Sequence, residues 1–242
     1  MISKYVLFLA VVIFKSYAVE NDVYYVVNNG VISKNYVPSK PYSFQNFPLP
    51  LLKVNSDQEE LVKIQLYYEC LCPDCRRFDN EEFKDTVLTL GSYLDINVYP
   101  YGNARTEERD GRVEFTCQHG PPECYGNKLH ACAIDYFQNV TAAILYNSCM
   151  MDSSQAGEGS DDLAADVCAR AIGIDSSPIK QCAKGIKGTA LLKYYGTESK
   201  KANFHSVPHI LINGVENSGN NFKQDVCKAI KNPPQACKEL LY

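Results

Sequence analysis

The chain predicts an α/β fold built from a parallel β-α-β unit, a cysteine-rich helical insertion, and a closing β-hairpin and helix. Three observations lead there. The apolar run Leu61-Val62-Lys63-Ile64-Gln65-Leu66-Tyr67-Tyr68 runs into the dithiol Cys72-Pro73-Asp74-Cys75. Residues 76–93 then alternate apolar and charged side chains at helical spacing, and residues 96–99 read as a second short strand. Far downstream, Val207-Pro208-His209-Ile210-Leu211-Ile212-Asn213-Gly214 returns to strand chemistry.

Taken in order, residues 1–18 read as a secretory signal: Lys4 gives the positive start, residues 5–14 the apolar stretch, and Ser16-Tyr17-Ala18 a small-residue cleavage site. The stretch ends at Lys15, short of the roughly 20 residues a membrane-spanning helix needs. Residues 19–57, rich in Tyr, Asn and Pro, read as an N-terminal extension or propeptide, with a hairpin offered by residues 23–32. Residues 58–242 read as one domain. Its first helix should turn Phe78, Phe83, Val87, Leu88 and Leu90 inward.

The insertion, at about 102–204, reads as helical, with one long helix over 128–150 and others over 163–172 and 178–195. In the long helix, Leu129, Cys132, Ala133, Tyr136, Phe137, Val140, Ala143 and Ile144 form one stripe. Residues 153–160 are a loop by composition. Asn213-Gly214 suits a type I′ hairpin turn, and residues 222–230 form the last expected helix. Strand–helix–strand, insert, then strand–strand–helix is the order of a thioredoxin-like fold.

Two thiols three positions apart at a strand-to-helix junction suit dithiol–disulfide exchange. Cys72 falls where a helix N-cap belongs, so the helix dipole favours a negative sulfur there. Arg76 and Arg77 add positive charge nearby, and Asp74 opposes them. The spacing assigns attack on a substrate disulfide to Cys72 and release of the mixed disulfide to Cys75. Val207-Pro208 suits a cis bond packed against the dithiol, with the Val207 backbone free to pair with an extended substrate. Half of a zinc site fits less well, since no second Cys-x2-Cys exists, and an inert structural disulfide is the blander alternative.

Eleven cysteines in a secreted chain imply a disulfide framework with one thiol left over. The net charge of −4 and the lack of a basic block exclude nucleic acid as the expected partner. Asn139-Val140-Thr141 is a glycosylation sequon.

Between the two halves lies Cys117-Gln118-His119-Gly120-Pro121-Pro122-Glu123-Cys124-Tyr125-Gly126-Asn127-Lys128-Leu129-His130-Ala131-Cys132. This run resembles the CQHGxxECxxNxxxxC signature of the gamma-interferon-inducible lysosomal thiol reductase (GILT) family. The likeness extends from Tyr67-Tyr68-Glu69 through Pro100-Tyr101-Gly102-Asn103-Ala104 and Gly111-Arg112 to Cys237. It implies a thiol reductase working at acidic pH in the endosome–lysosome lumen or after secretion. Cys72 and Cys75 are its active pair, and disulfide-bonded proteins its substrates. Cys70 departs from the pattern, because many relatives carry a small non-cysteine residue there. Setting aside Cys70, Cys72 and Cys75 leaves eight cysteines, which can pair completely in any of 105 ways.

The expectations are therefore a thiol–disulfide oxidoreductase with no cofactor and no metal, recharged by a small thiol or dithiol. Its site residues are Cys72 and Cys75 for the chemistry, Val207 and Pro208 for substrate, and Asn139 for a glycan. A secretory-pathway oxidase or isomerase would use the same residues. A secreted binding protein on the same scaffold would not use the dithiol. His119 and Glu123 read as hydrogen-bonding residues that hold the cysteine-rich loop.

Overall fold

The computed structural model describes residues 21–28, 31–38, 60–152 and 159–241. The signal reading at 1–18 and most of the loop at 153–160 fall outside them. Two units divide the chain, Met1–Val54 and Asn55–Tyr242. In the first, β1 (Asn21–Asn28) and β2 (Val31–Pro38) form an antiparallel hairpin, with Asn28 opposite Val31.

Alternation in β3 (Val62–Tyr68) organises the second unit. Val62, Ile64, Leu66 and Tyr68 share one face and are buried, as period-two side chains on a core strand should be. After it come α1 (Pro73–Phe78), a π-helical turn at Asp79–Phe83 and α2 (Lys84–Leu90). Phe78, Phe83, Val87 and Leu90 are buried as expected, but Leu88 is 47 % exposed. The π turn adds a residue to one turn, which rotates the apolar stripe past Leu88.

β4 (Leu94–Pro100) returns parallel to β3, from Val62 opposite Leu94 to Tyr68 opposite Pro100. Next comes a hairpin the helical reading of 102–204 missed, β5 (Arg105–Arg109) and β6 (Arg112–Thr116). Its strands are charged and weakly alternating, so only Asp110-Gly111 signalled it. Both turn residues have positive φ, 49° and 74°, as a type I′ turn requires.

The single helix expected over 128–150 is two, α3 (Pro121–Tyr136) and α4 (Val140–Met151). Asn139 breaks it: its Oδ1 accepts the Thr141 and Ala142 N–H groups at 2.8 and 3.3 Å and so caps α4. Tyr136 and Val140, assigned to the buried stripe, are exposed beside that break. α5 (Asp162–Ile172) follows. The helix expected over 178–195 is also two, α6 (Ser177–Lys184) and α7 (Ile186–Ala202), divided where Gly185 is extended. Ser177 is the first residue of α6, and Ser176 is its N-cap.

The chain then closes with β7 (His209–Ile212), β8 (Val215–Asn217), α8 (Phe222–Ala229) and α9 (Gln235–Leu241). Asn213 and Gly214 have φ of 50° and 80°, the turn the sequence offered. β7 lies antiparallel to β3, giving the order β4-β3-β7-β8. Phe78, Phe83 and Phe222 pack together on one sheet face. Tyr67 and Tyr99 stack at 4.4 Å on the other, under Tyr195 of α7. Among the described residues, no helix is long and apolar enough to cross a membrane.

Disulfides Cys132–Cys182 and Cys149–Cys168 staple α3 to α6 and α4 to α5, while Cys227–Cys237 joins α8 to α9. Cys117–Cys124 closes the loop before α3. Cys70, Cys72 and Cys75 are free thiols. The insertion is tied to β3 by polar contacts in its core. Tyr68 Oη and His130 Nδ1 are 2.9 Å apart, and His130 Nε2 lies 2.9 Å from Ser160 Oγ. Burial pushes His130 down to about 3, so it remains neutral.

Asp79 is buried in the π turn and accepts the Ser148 hydroxyl at 2.9 Å. Burial, more than any other cause, pushes its carboxyl up to about 7. A raised carboxyl contributes stability that is fully present below its unfolded value, about 4, and lost as pH rises through about 7. Asp79→Asn should therefore gain stability relative to the parent across that window, by on the order of 2 kcal/mol at neutral pH. Chemical denaturation at pH about 4 and about 7 checks this. An unchanged difference between the two proteins would contradict it.

Candidate active site

The end of β3 delivers the chain to Cys72, whose extended backbone (φ −61°, ψ 123°) starts α1. Pro73 occupies the first turn, where its missing N–H costs nothing. The Cys75 N–H donates to Cys72 Sγ at 3.4 Å, so a sulfur does the work of a capping oxygen. Cys72 retains 7 % exposure against 1 % for Cys75, which makes Cys72 the sulfur a substrate can reach.

The two thiols are driven apart in acidity. Cys72 is pulled down to about 6: hydrogen bonding from the Cys75 side chain does most, and backbone N–H groups of Cys75 and Asp74 add to it against the cost of burial. Asp74 opposes the shift, as the sequence indicated. The arginines, expected to help, are engaged elsewhere. Arg76 Nε donates to the Met151 carbonyl at 2.8 Å, and Arg77 pairs with Asp74 at 2.9 Å. Burial pushes the Cys75 thiol far up, reinforced by its hydrogen bond to Cys72 and by the charge there.

Val207 and Pro208 close over this dithiol from the loop before β7. Their peptide bond is cis, and the Val207 carbonyl lies 3.8 Å from Cys72 Sγ. A groove of about 460 Å³ runs beside them, lined by Asp74, Arg77, Glu81 and Glu82 on the helical side and by Ser206 to Pro208 and Ser218 to Asn221 on the other. Cys72, Cys75, Val207 and Pro208 thus converge. Asn139 lies apart from them, exposed at the start of α4.

Sequence reading gave no role to Glu69, which directly follows β3 and is fully enclosed. Its Oε1 accepts the Asn103 N–H at 2.6 Å, and Gly102 (φ 62°) packs so closely on it that any Cβ would clash. Burial pushes the Glu69 carboxyl up to about 7; the Asn103 N–H pulls it back, and Glu123 and Cys72 raise it further. A polar residue closing an apolar strand next to a dithiol was the available signal. His119 holds Glu123 twice, through its N–H at 3.0 Å and Nδ1 at 2.5 Å, inside the loop closed by Cys117–Cys124. The donor atoms of Glu69, His119 and Glu123 lie within 4.8 Å of one another. The His119–Glu123 hydrogen bond occupies the nitrogen and oxygen a cation would take, so the cluster is a hydrogen-bonded one.

Cys70 is buried, donating its N–H to Asn127 at 3.0 Å with its thiol 3.6 Å from the Glu123 carbonyl. Burial pushes that thiol well up, so it remains unreactive. Gly126 permits the arrangement, because a Cβ there would lie 2.5 Å from Cys70 Sγ.

A capped low-pKa thiol, a shielded partner and a cis-proline on this sheet define a thiol–disulfide oxidoreductase of thioredoxin-like fold. Reduced DsbA from Mycobacterium tuberculosis shares the fold, with a TM-score of 0.50 at 14 % identity over 74 % of this chain and 88 % of that one. The family model "Gamma interferon inducible lysosomal thiol reductase (GILT)" matches residues 63–172. A gamma-interferon-inducible lysosomal thiol reductase-like protein of Anopheles gambiae is 32 % identical over 197 residues, 74 % of this chain and 81 % of that relative. The gamma-interferon-inducible lysosomal thiol reductase of Mus musculus is 35 % identical over 158 residues, 63 % of this chain and 60 % of its own length. The chain belongs to the GILT family.

The pH-dependence of Cys72 follows from its lowered value. Its thiolate is present above about 6 and lost as pH falls through that point. Alkylation by iodoacetamide should therefore rise with a midpoint near pH 6 and modify Cys72 alone. A midpoint near 8.5, the value of an ordinary thiol, would contradict this.

Proposed function

We propose that this chain reduces disulfide bonds in protein substrates on the acid side of neutrality, with Cys72 as nucleophile and Cys75 as the resolving thiol. The observation that carries the reading is the split in acidity between two sulfurs of one ring. An ordinary thiol at pH about 5 is thiolate in about one molecule in three thousand. At about 6, Cys72 is thiolate in about one in ten, a gain of several hundredfold in the reactive form.

The order of events follows from access. The Cys72 thiolate attacks a substrate disulfide, which breaks as the mixed disulfide forms. Cys75, within the same ring, attacks Cys72 and releases the second substrate sulfur. The Val207 backbone and the groove beside Pro208 receive an extended substrate segment across the sulfurs. The ring is reopened by a small thiol or dithiol, and no bound cofactor is required, since exchange carries the electrons.

The words "lysosomal thiol reductase" in the relatives' names support an endosomal or lysosomal lumen, reached through the signal at 1–18, with secretion as the other outcome. Two buried carboxyls, Glu69 and Asp79, are both held near 7 and so are neutral in such a lumen. Residues 19–57 are assigned as a removable extension, 58–242 as the working domain, and the exposed Asn139 as a glycan site.

At pH about 5 the processed chain should reduce a disulfide-bonded test protein about tenfold or more faster than an ordinary monothiol at the same concentration, because more of its attacking sulfur is thiolate. Cys72→Ser should lower it by about 100-fold or more. Cys75→Ser should accumulate a mixed disulfide on Cys72, visible on a non-reducing gel. Turnover that survives Cys72→Ser, or that at pH about 5 is no faster than the monothiol's, would sink the proposal.

A further inference from the structure

Opening one disulfide yields two thiols and takes two electrons and two protons. The reduced site is short of one. Cys75 is held as a thiol and brings a proton, whereas Cys72 attacks as a thiolate and brings none.

Glu69 is built to hold the missing proton. Its side chain has no exposure, and it stands three residues before Cys72 at the end of β3. Oε1 takes the Asn103 N–H, but Oε2 is enclosed without any hydrogen bond. His119 Nδ1 lies 3.5 Å from that oxygen and 2.5 Å from Glu123 Oε2, so Glu123 captures the imidazole. A bare carboxylate oxygen in a closed site is costly, and a proton removes the cost.

The titratable groups facing Glu69 are Cys72 and Cys75 from α1, His119 from the loop before α3, Glu123 from α3, and the neighbouring neutral thiol of Cys70. Negative charge on Cys72 disfavours charge on Glu69, and charge on Glu69 disfavours it on Cys75. Such coupling is reciprocal: whatever state of the sulfurs favours a proton on Glu69, that proton favours in return.

We propose that Glu69 stores the second proton of the reduced enzyme and surrenders it when the Cys72–Cys75 ring closes. This rests on the dithiol reading above. In the balanced step, Cys72 thiolate, Cys75 thiol and the Glu69 carboxylic acid meet one substrate disulfide. The products are the Cys72–Cys75 disulfide, the Glu69 carboxylate and two substrate thiols. Two electrons pass from the dithiol to the substrate, one proton comes from Cys75 and one from Glu69, and the net charge is unchanged. Burial favours the proton on Glu69, and the Cys72 thiolate adds to it; closing the ring removes that added charge, so the hold on the proton weakens as the ring closes. His119, with 31 % of its side chain exposed, is the member of the cluster that meets solvent and is the route by which the proton is replaced.

The pH-dependence of the dithiol–disulfide half-reaction of the full chain, read as its reduction potential against a fixed reference electrode, counts the protons. Between pH about 6 and about 7 the unsubstituted protein should take up nearer two protons per ring opened, a change of about 100-fold in the equilibrium constant per pH unit. Glu69→Gln should take up nearer one, about tenfold per unit, while its ring still opens and closes reversibly. Equal slopes in two reversibly cycling proteins would overturn the Glu69 assignment and leave the dithiol reading standing. Failure of the unsubstituted protein to cycle would overturn both. If Glu69→Gln does not fold, infrared difference spectroscopy on the unsubstituted chain decides. Loss of a protonated-carboxyl C=O band on ring closure supports the assignment, and no such loss overturns it.

Discussion

A sulfur in the capping position of α1 is the constraint on which the rest of the site depends. The N–H groups that open a helix lack partners within it and must be satisfied by whatever stands in front of them. Here the Cys75 N–H finds Cys72 Sγ at 3.4 Å, and the Cys75 thiol leans on the same atom. That arrangement stabilises a negative sulfur at the cap and a protonated one a turn inside. It also explains why the neighbouring arginines matter little: their guanidinium groups are committed to Met151 and Asp74. The acidity split comes from the hydrogen bond between the two thiols and the burial of Cys75, with backbone N–H groups at the helix start adding to it.

The remainder of the fold serves to hold that helix start still. β3 aims it and β4 fixes β3 by parallel pairing, while Phe78, Phe83 and Phe222 clamp the helix to the sheet from below. The insertion closes the site from the side. His130 and Ser160 reach Tyr68 through buried hydrogen bonds, and the loop locked by Cys117–Cys124 carries His119 and Glu123 to Glu69. Four disulfides confine the framework, and the three free thiols gather at one end of β3.

Much of this was legible in the residues. The run before Cys72, the Cys-x2-Cys spacing, Val207-Pro208 and Asn213-Gly214 each carry local chemistry that admits few structures, and each appears where it was expected. What escaped was set by partners distant in sequence or by a single residue overriding a period. Asn139 and Gly185 cut helices whose apolar stripes run straight through them, because a cap or an extended backbone outweighs periodicity. The charged strands around Asp110-Gly111 lack the alternation that marks a strand. Only its polarity beside the dithiol marked Glu69 in the sequence, since its burial depends on Gly102, Asn103 and a loop some fifty residues away.

The most direct test of a separate working dithiol is to oxidise the reduced protein mildly and map its disulfides by peptide mass spectrometry. Ring closure between Cys72 and Cys75 alone, with Cys70 still a thiol and the four framework bonds unchanged, is the expected result. A bond from Cys70 to either sulfur, or exchange into the framework pairs, would contradict it.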